Sequence, residues 1–238
     1  MKKQIPNIIT CCNLLSGCVA VTFALRGNVE AAALLIILSA VFDFFDGFAA
    51  RLLKVSSPIG KDLDSLADVV SFGLVPAVII FVFLERCVGG LAPAVREQWG
   101  HLLPYIAFLI PPCSALRLAK FNHDERQTTE FRGLATPANA MFIGFIPYAA
   151  QEMSVLYNFW LITALVVIFS ILLLTDIPMF SLKFHNFKIK DNIIRYLFLI
   201  IALILLIIFK LGAFPIIILT YILASVATLP LKKRAESH

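Results

Sequence analysis

Long apolar runs dominate this 238-residue chain and decide what it can fold into. A bilayer core holds no water for backbone polar groups, so a chain crosses it as helices of about 20 residues or as a closed barrel. Apolar stretches of helical length lie at 8–25, 29–50, 65–84, 102–119, 136–152, 155–174, 193–210 and 212–229. They predict an all-α, polytopic integral membrane helical bundle with about eight transmembrane helices. Only Lys210-Leu211-Gly212 separates the last two, which leaves one broken element as the alternative to two spans. Little chain remains for a soluble unit. Residues 1–238 therefore read as a single membrane-embedded domain, with a main core over about 1–185 and two extra spans over about 193–229.

Composition and charge agree. The chain is 60% hydrophobic and 15% charged, against about a quarter charged in soluble domains. Eight spans put both termini on one side of the membrane. Arg26, Arg86, Arg96 and Lys210 then fall on the far side, and every other basic residue falls on the side of the termini. The positive-inside rule makes that side cytoplasmic. The net charge of +5 thus reports topology and contact with acidic headgroups, and no nucleic-acid partner is expected. Cys11, Cys12, Cys18, Cys87 and Cys113 contain no Cys-x-x-Cys and read as buried free thiols. His101, His123, His185 and His238 are scattered, with no metal-ligand spacing. Leu15-Ser16-Gly17-Cys18 mimics a lipoprotein cleavage box. However, Pro6, Asn7 and Asn13 interrupt the run, which continues to Leu25, so the first helix is expected to stay uncleaved.

The chemistry lies between Asp43 and Asp68. Asp43 and Asp46 are three apart near the inner end of the second span, and Asp64 and Asp68 are four apart at the inner start of the third. Both spacings put a pair of carboxylates on one helical face. The turn Ser56-Ser57-Pro58-Ile59-Gly60 can fold the two helices side by side. Four carboxylates at one membrane-embedded corner would cost on the order of 10 kcal/mol. Divalent cations remove that cost, and an all-oxygen site suits Mg²⁺ or Mn²⁺, with Ca²⁺ a further candidate at one site. Gly47 and Ala50 leave room for a bulky ligand or a second helix. Arg51 is placed to hold a phosphate.

The segment reads Asp43-x-x-Asp46-Gly47-x-x-Ala50-Arg51, eight residues, then Gly60-x-x-x-Asp64-x-x-x-Asp68. It resembles the signature of the CDP-alcohol phosphatidyltransferase family at every fixed position. The resemblance implies that Asp43, Asp46, Asp64 and Asp68 hold two divalent metals, that Asp68 is also the general base, and that the Gly47–Arg51 turn and Gly60 approach the CDP-lipid. A diphosphate needs its charge neutralised before an oxygen nucleophile attacks, and a hydroxyl needs a base. No organic cofactor is required. Thr10 and Asn13, one turn apart on the first span, are candidates for the nucleotide or phosphate.

Asp64-Ser65-Leu66-Ala67-Asp68-Val69-Val70-Ser71-Phe72-Gly73 is similar to the phosphatidylserine synthase branch of that family. So are Ile5-Pro6-Asn7-x-x-Thr10-x-x-Asn13-x-x-x-Gly17, Leu116-Arg117-Leu118-Ala119-Lys120-Phe121-Asn122, Phe131-Arg132-Gly133-Leu134 and Ser181-Leu182-Lys183. Two positions depart: Lys120 stands where the branch usually has Arg, and Ala135 where it has Pro. The resemblance implies CDP-diacylglycerol and L-serine as substrates, a homodimer among membrane lipids, and an active site facing the cytoplasm. Arg117, Lys120 and Arg132 are candidates for the serine carboxylate or the lipid phosphate. Ser71, Asn122, Thr136 and Asn139 are candidate polar liners. Glycerol phosphate, an inositol phosphate or another amino alcohol is the alternative acceptor. A divalent-cation transporter would use the same acids in a different way.

Overall fold

The computed structural model describes residues 4–55, 57–123, 131–179 and 189–235, with backbone alone at 131–132, 189–191 and 228–235. Helix α1 (Gln4–Leu25) buries a stripe of small and polar residues, Pro6, Thr10, Asn13, Gly17, Ala20 and Ala24. It lies along α2 (Val29–Leu52), whose facing residues include Ala32, Ala33, Ile36 and Ser39. Small side chains let two helices approach closely where lipid offers no hydrophobic drive for association. Between them Gly27 takes φ 82°, and Asn28 caps α2 by accepting the Ala31 N–H at 3.0 Å.

Helix α3 (Pro58–Asp68) starts with proline at its first turn and Ser57 as its cap, accepting the Gly60 N–H at 3.0 Å. It passes through a π-helical segment, Val69–Leu74, into α4 (Val75–Cys87). The short α5 (Pro93–Trp99) is followed by a 3₁₀ stretch, Leu103–Leu109, and α6 (Ile110–His123), bent by 63° from α5. Then come α7 (Thr136–Gly144), α8 (Ile146–Glu152) and α9 (Phe159–Leu174). Last are α10 (Ile189–Phe209) and α11 (Ala213–Ala235). One short antiparallel pairing, β1 (Phe131–Arg132) with β2 (Pro178–Met179), ties the entry of α7 to the exit of α9.

Helical segments occupy all eight expected stretches, though not as eight uniform spans. The runs 4–25, 29–52, 58–90 and 192–227 are long and apolar enough to cross a membrane, and the bent pair 93–99 with 103–123 makes a fifth. The third stretch is longer than expected because α3, the π segment and α4 are continuous. The fifth breaks at Phe145, just before Pro147. The last run is two helices. Lys210 has φ 49°, and the Phe198 and Tyr221 rings meet at 5.9 Å across the break, so α11 folds back along α10.

Among the described residues two large cores hold the bundle, and a smaller cluster of Phe198, Ala213 and Ile217 joins α10 to α11. Phe83, Leu84, Ile110, Phe142, Ile143, Ile162, Val166 and Phe169 form one, with the Phe142 and Phe169 rings stacked at 3.6 Å. Ala20, Ala24, Ala32, Ala33, Ile36, Phe72, Val75 and Phe145 form the other, around α1, α2 and the π segment. Leu15, Leu38, Phe44, Leu203 and Ile207 instead point outward, as side chains facing lipid tails would.

Candidate active site

The turn after α2 builds the site. Leu53 and Val55 donate back to the Ala49 and Ala50 carbonyls, and Lys54 takes φ 52°, which reverses the chain. Serine capping then starts α3 beside the end of α2. As a result Asp43, Asp64 and Asp68 converge. One carboxylate oxygen from each lies within 4.8 Å of the others. At that distance two full charges repel by about 3 kcal/mol at an effective dielectric of about 20. Asp64 Oδ1 is buried with no hydrogen-bond donor among the described residues. Clustered anionic oxygens with an unused acceptor fit a hard divalent cation.

Asp46 lies outside that tightest group. Its Oδ2 is 2.7 Å from the Thr10 hydroxyl, which also lies 3.0 Å from the Pro6 carbonyl. The single hydroxyl proton serves one acceptor at a time, and the carboxylate charge favours Asp46. Asp68 is reached by Asn13, whose Nδ2 donates to Oδ1 at 3.4 Å. The Asn13 carbonyl accepts from Ser71 Oγ at 3.0 Å and Ser39 Oγ at 3.5 Å. Helix α1 therefore brings one side chain to Asp46 and another to Asp68.

An open cleft runs beside the carboxylates. It is lined by Pro6, Asn7, Thr10, Asp46, Gly47, Ala50, Val55, Ser57, Gly60 and Asp64. A Cβ on Gly47 would meet nothing nearer than Arg51 Nη1 at 3.9 Å, so this position faces open space. A Cβ on Gly60 would stand 3.0 Å from Ser57 Oγ and 3.1 Å from Asn7 Oδ1, so glycine there keeps α1 and α3 close. Arg51 is exposed at the end of α2. Asn7 and Ser57 carried no functional weight in the sequence reading. The Ser-Pro pair at a helix start was the available signal for Ser57.

The expected acceptor residues divide. Arg117 is buried on α6, donates to Thr136 Oγ1 at 3.1 Å, stacks over Phe121 at 5.4 Å and lies within electrostatic range of Asp68. Asn122 instead ties α6 to α3. Its Nδ2 donates to Ser65 Oγ at 2.7 Å, and its carbonyl accepts from Lys61 Nζ at 2.7 Å. Ser71 turns toward α1, as described above. Lys120 is exposed. Arg132 contributes its backbone to β1, and its side chain lies outside the described residues, as does the Ser181-Leu182-Lys183 stretch.

Helices α2 and α3 thus carry clustered carboxylates beside a cleft lined in part by Gly47 and Gly60. Residues 3–180 match the model of the CDP-alcohol phosphatidyltransferase family, and the chain belongs to that family. It is 30% identical over 210 residues to a CDP-diacylglycerol–serine O-phosphatidyltransferase of Mycobacterium bovis, covering 84% of this chain and 68% of the relative. An enzyme of the same name from Helicobacter pylori is 26% identical over 227 residues, covering 92% and 87%. An archaetidylserine synthase of Methanothermobacter thermautotrophicus is 32% identical over 142 residues, covering 58% and 55%.

Proposed function

We propose that this chain transfers the phosphatidyl group of CDP-diacylglycerol to the hydroxyl of L-serine, giving phosphatidylserine and CMP. The observation that carries the reading is the convergence of Asp43, Asp64 and Asp68 beside the cleft, in a family member whose relatives are named for serine transfer. Asp68 takes the proton of the serine hydroxyl. The freed oxygen attacks the lipid-side phosphorus, the bond from that phosphorus to the bridging oxygen breaks, and CMP leaves. Asp43, Asp46, Asp64 and Asp68 would hold Mg²⁺ or Mn²⁺, which when bound neutralises the diphosphate and the developing charge on CMP. Thr10 holds Asp46, and Asn13 holds Asp68, in the orientations the reaction uses. Gly47, Ala50, Arg51 and Gly60 accommodate the CDP-lipid, and Arg117 with Thr136 faces the acceptor.

The enzyme sits in the cytoplasmic membrane as a homodimer of single domains, with eight crossings and with both termini and the active site on the cytoplasmic side. The charge distribution along the chain supports that orientation.

Purified protein supplied with CDP-diacylglycerol, Mg²⁺ or Mn²⁺ and a panel of alcohols is expected to release CMP with serine, and to stop in excess chelator. Release with glycerol phosphate but not serine would exclude the acceptor, and full activity in chelator would exclude the metal. Asp68→Asn should lose about 10²–10⁴-fold in the chemical step without recovery at raised metal, whereas raised metal should restore part of the activity of Asp43→Asn.

A further inference from the structure

More fully buried than the carboxylates are two polar side chains to which the chemistry above gives no role. Ser114 and Asn139 are both 0% exposed. Among the described residues Ser114 Oγ has no hydrogen-bond partner, and neither Oδ1 nor Nδ2 of Asn139 has one. A buried amide with both ends unpaired is costly, and most buried polar groups in folded chains find partners. Their neighbours are polar too, since Arg117 is 8% and Thr136 0% exposed.

These four side chains face one seam. Ser114 and Arg117 are three apart on α6, and Thr136 and Asn139 are three apart on α7, so each pair shares a helical face. The Arg117–Thr136 hydrogen bond of 3.1 Å turns the two faces toward each other. The π segment that follows Asp68 closes a third side, because a Cβ on Gly73 would stand 3.2 Å from Ser114 Cβ. The seam thus combines an amide N–H₂, two unused oxygen acceptors and a guanidinium, the last within electrostatic range of Asp68.

We infer that Ser114 and Asn139 recognise the ammonium group of an amino-acid acceptor, with Arg117 and the Asn139 N–H₂ taking its carboxylate. This inference rests on serine as the acceptor. The pairing distinguishes an α-amino acid from acceptors of one charge sign. A phosphorylated polyol would offer Ser114 Oγ and Asn139 Oδ1 only neutral hydroxyls in place of a charge-assisted ammonium, and an amino alcohol without a carboxylate would leave Arg117 unmatched. A site built to bond a polar substrate group rejects analogues lacking it, because its own buried groups are then stranded.

The test uses full-length protein in detergent micelles, with Asn139→Leu and Ser114→Ala. Serine KM should rise about 10–100-fold, the loss expected for a hydrogen bond to a charged group, while CDP-diacylglycerol KM stays within about twofold. The preference for serine over 3-hydroxypropionate, which lacks the ammonium, should shrink by a similar factor. Independently of turnover, L-serine should raise the thermal unfolding midpoint of the wild type and not that of Asn139→Leu. Should Asn139→Leu fail to accumulate, Ser114→Ala carries the test alone. An unchanged serine KM and serine-induced shift, or equal weakening of both substrates, overturns the inference and leaves the acceptor reading standing. A wild type that releases no CMP with serine overturns both.

Discussion

Gly17→Ala tests whether α1 is a working part of the site. Gly17 lies where α1 crosses the π segment. A Cβ there would fall 2.6 Å from Ser71 Oγ, 3.1 Å from Ser71 Cα and 3.3 Å from Ser71 Cβ. The hydroxyl can rotate away, but only by giving up its 3.0 Å hydrogen bond to the Asn13 carbonyl. The backbone Cα cannot yield, so the helices must separate by a few tenths of an ångström. Overpacking of this kind costs about 1–3 kcal/mol. Asn13 lies one turn earlier on the same face and would move with the helix, and its contact to Asp68 is already long at 3.4 Å. Since a misplacement of about 1 Å can cost about 10²-fold in rate, this smaller shift should lower CMP release by about tenfold. The control is Gly89→Ala, because a Cβ there would meet nothing within 4 Å. Thermal unfolding in detergent and CMP release would be measured for both variants. The reasoning fails if Gly17→Ala matches Gly89→Ala in both.

Two further outcomes follow from the same geometry. Thr10→Val keeps the shape of the side chain and removes the 2.7 Å donor to Asp46 Oδ2. Apparent affinity for CDP-diacylglycerol should fall about 10–100-fold, and an unchanged titration would mean that Asp46 needs no such support. Tags placed near Val88–Ala94 and at the carboxy terminus should report opposite faces of the membrane. Both tags on the cytoplasmic face would undo the eight-span topology.

The aspartates were legible because their signal is local. Spacings of three and four put Asp43 with Asp46 and Asp64 with Asp68 on common faces whatever the surrounding fold, and the Ser-Pro start of α3 supplied the reversal. The uneven helix lengths were hidden because uniformly apolar segments carry no periodic pattern to mark a break. The sites of breakage, Phe145 and Lys210, depend on backbone angles that tertiary packing imposes. Asn122 and Ser71 have the residue types of substrate ligands, and both bond to neighbouring helices. A polar residue in a membrane helix satisfies either a ligand or another helix, and only three-dimensional pairing tells the two apart. Ser114 fell outside the sequence reading for that reason.

The π segment explains why one continuous run can serve both the carboxylates and the packed core. Before it, α3 is short and polar enough to project Asp64 and Asp68 toward α1 and α2. After it, α4 is buried on nearly every side, from Val75 to Leu84. An uninterrupted α-helix would keep the same face directed at the site along its whole length. The wider turn at Val69–Leu74 holds extra residues per revolution and so rotates the face that follows against the one that precedes. It also presents Ser71 to α1 and Gly73 to Ser114 on different sides of the same turn. One irregular stretch therefore seats α1 against the site and lets α6 approach closely enough for Ser114 to pack against Gly73 and for Arg117 to come within electrostatic range of Asp68. Restoring regular α-geometry there would separate the carboxylates from the polar seam, even with every one of their residues unchanged.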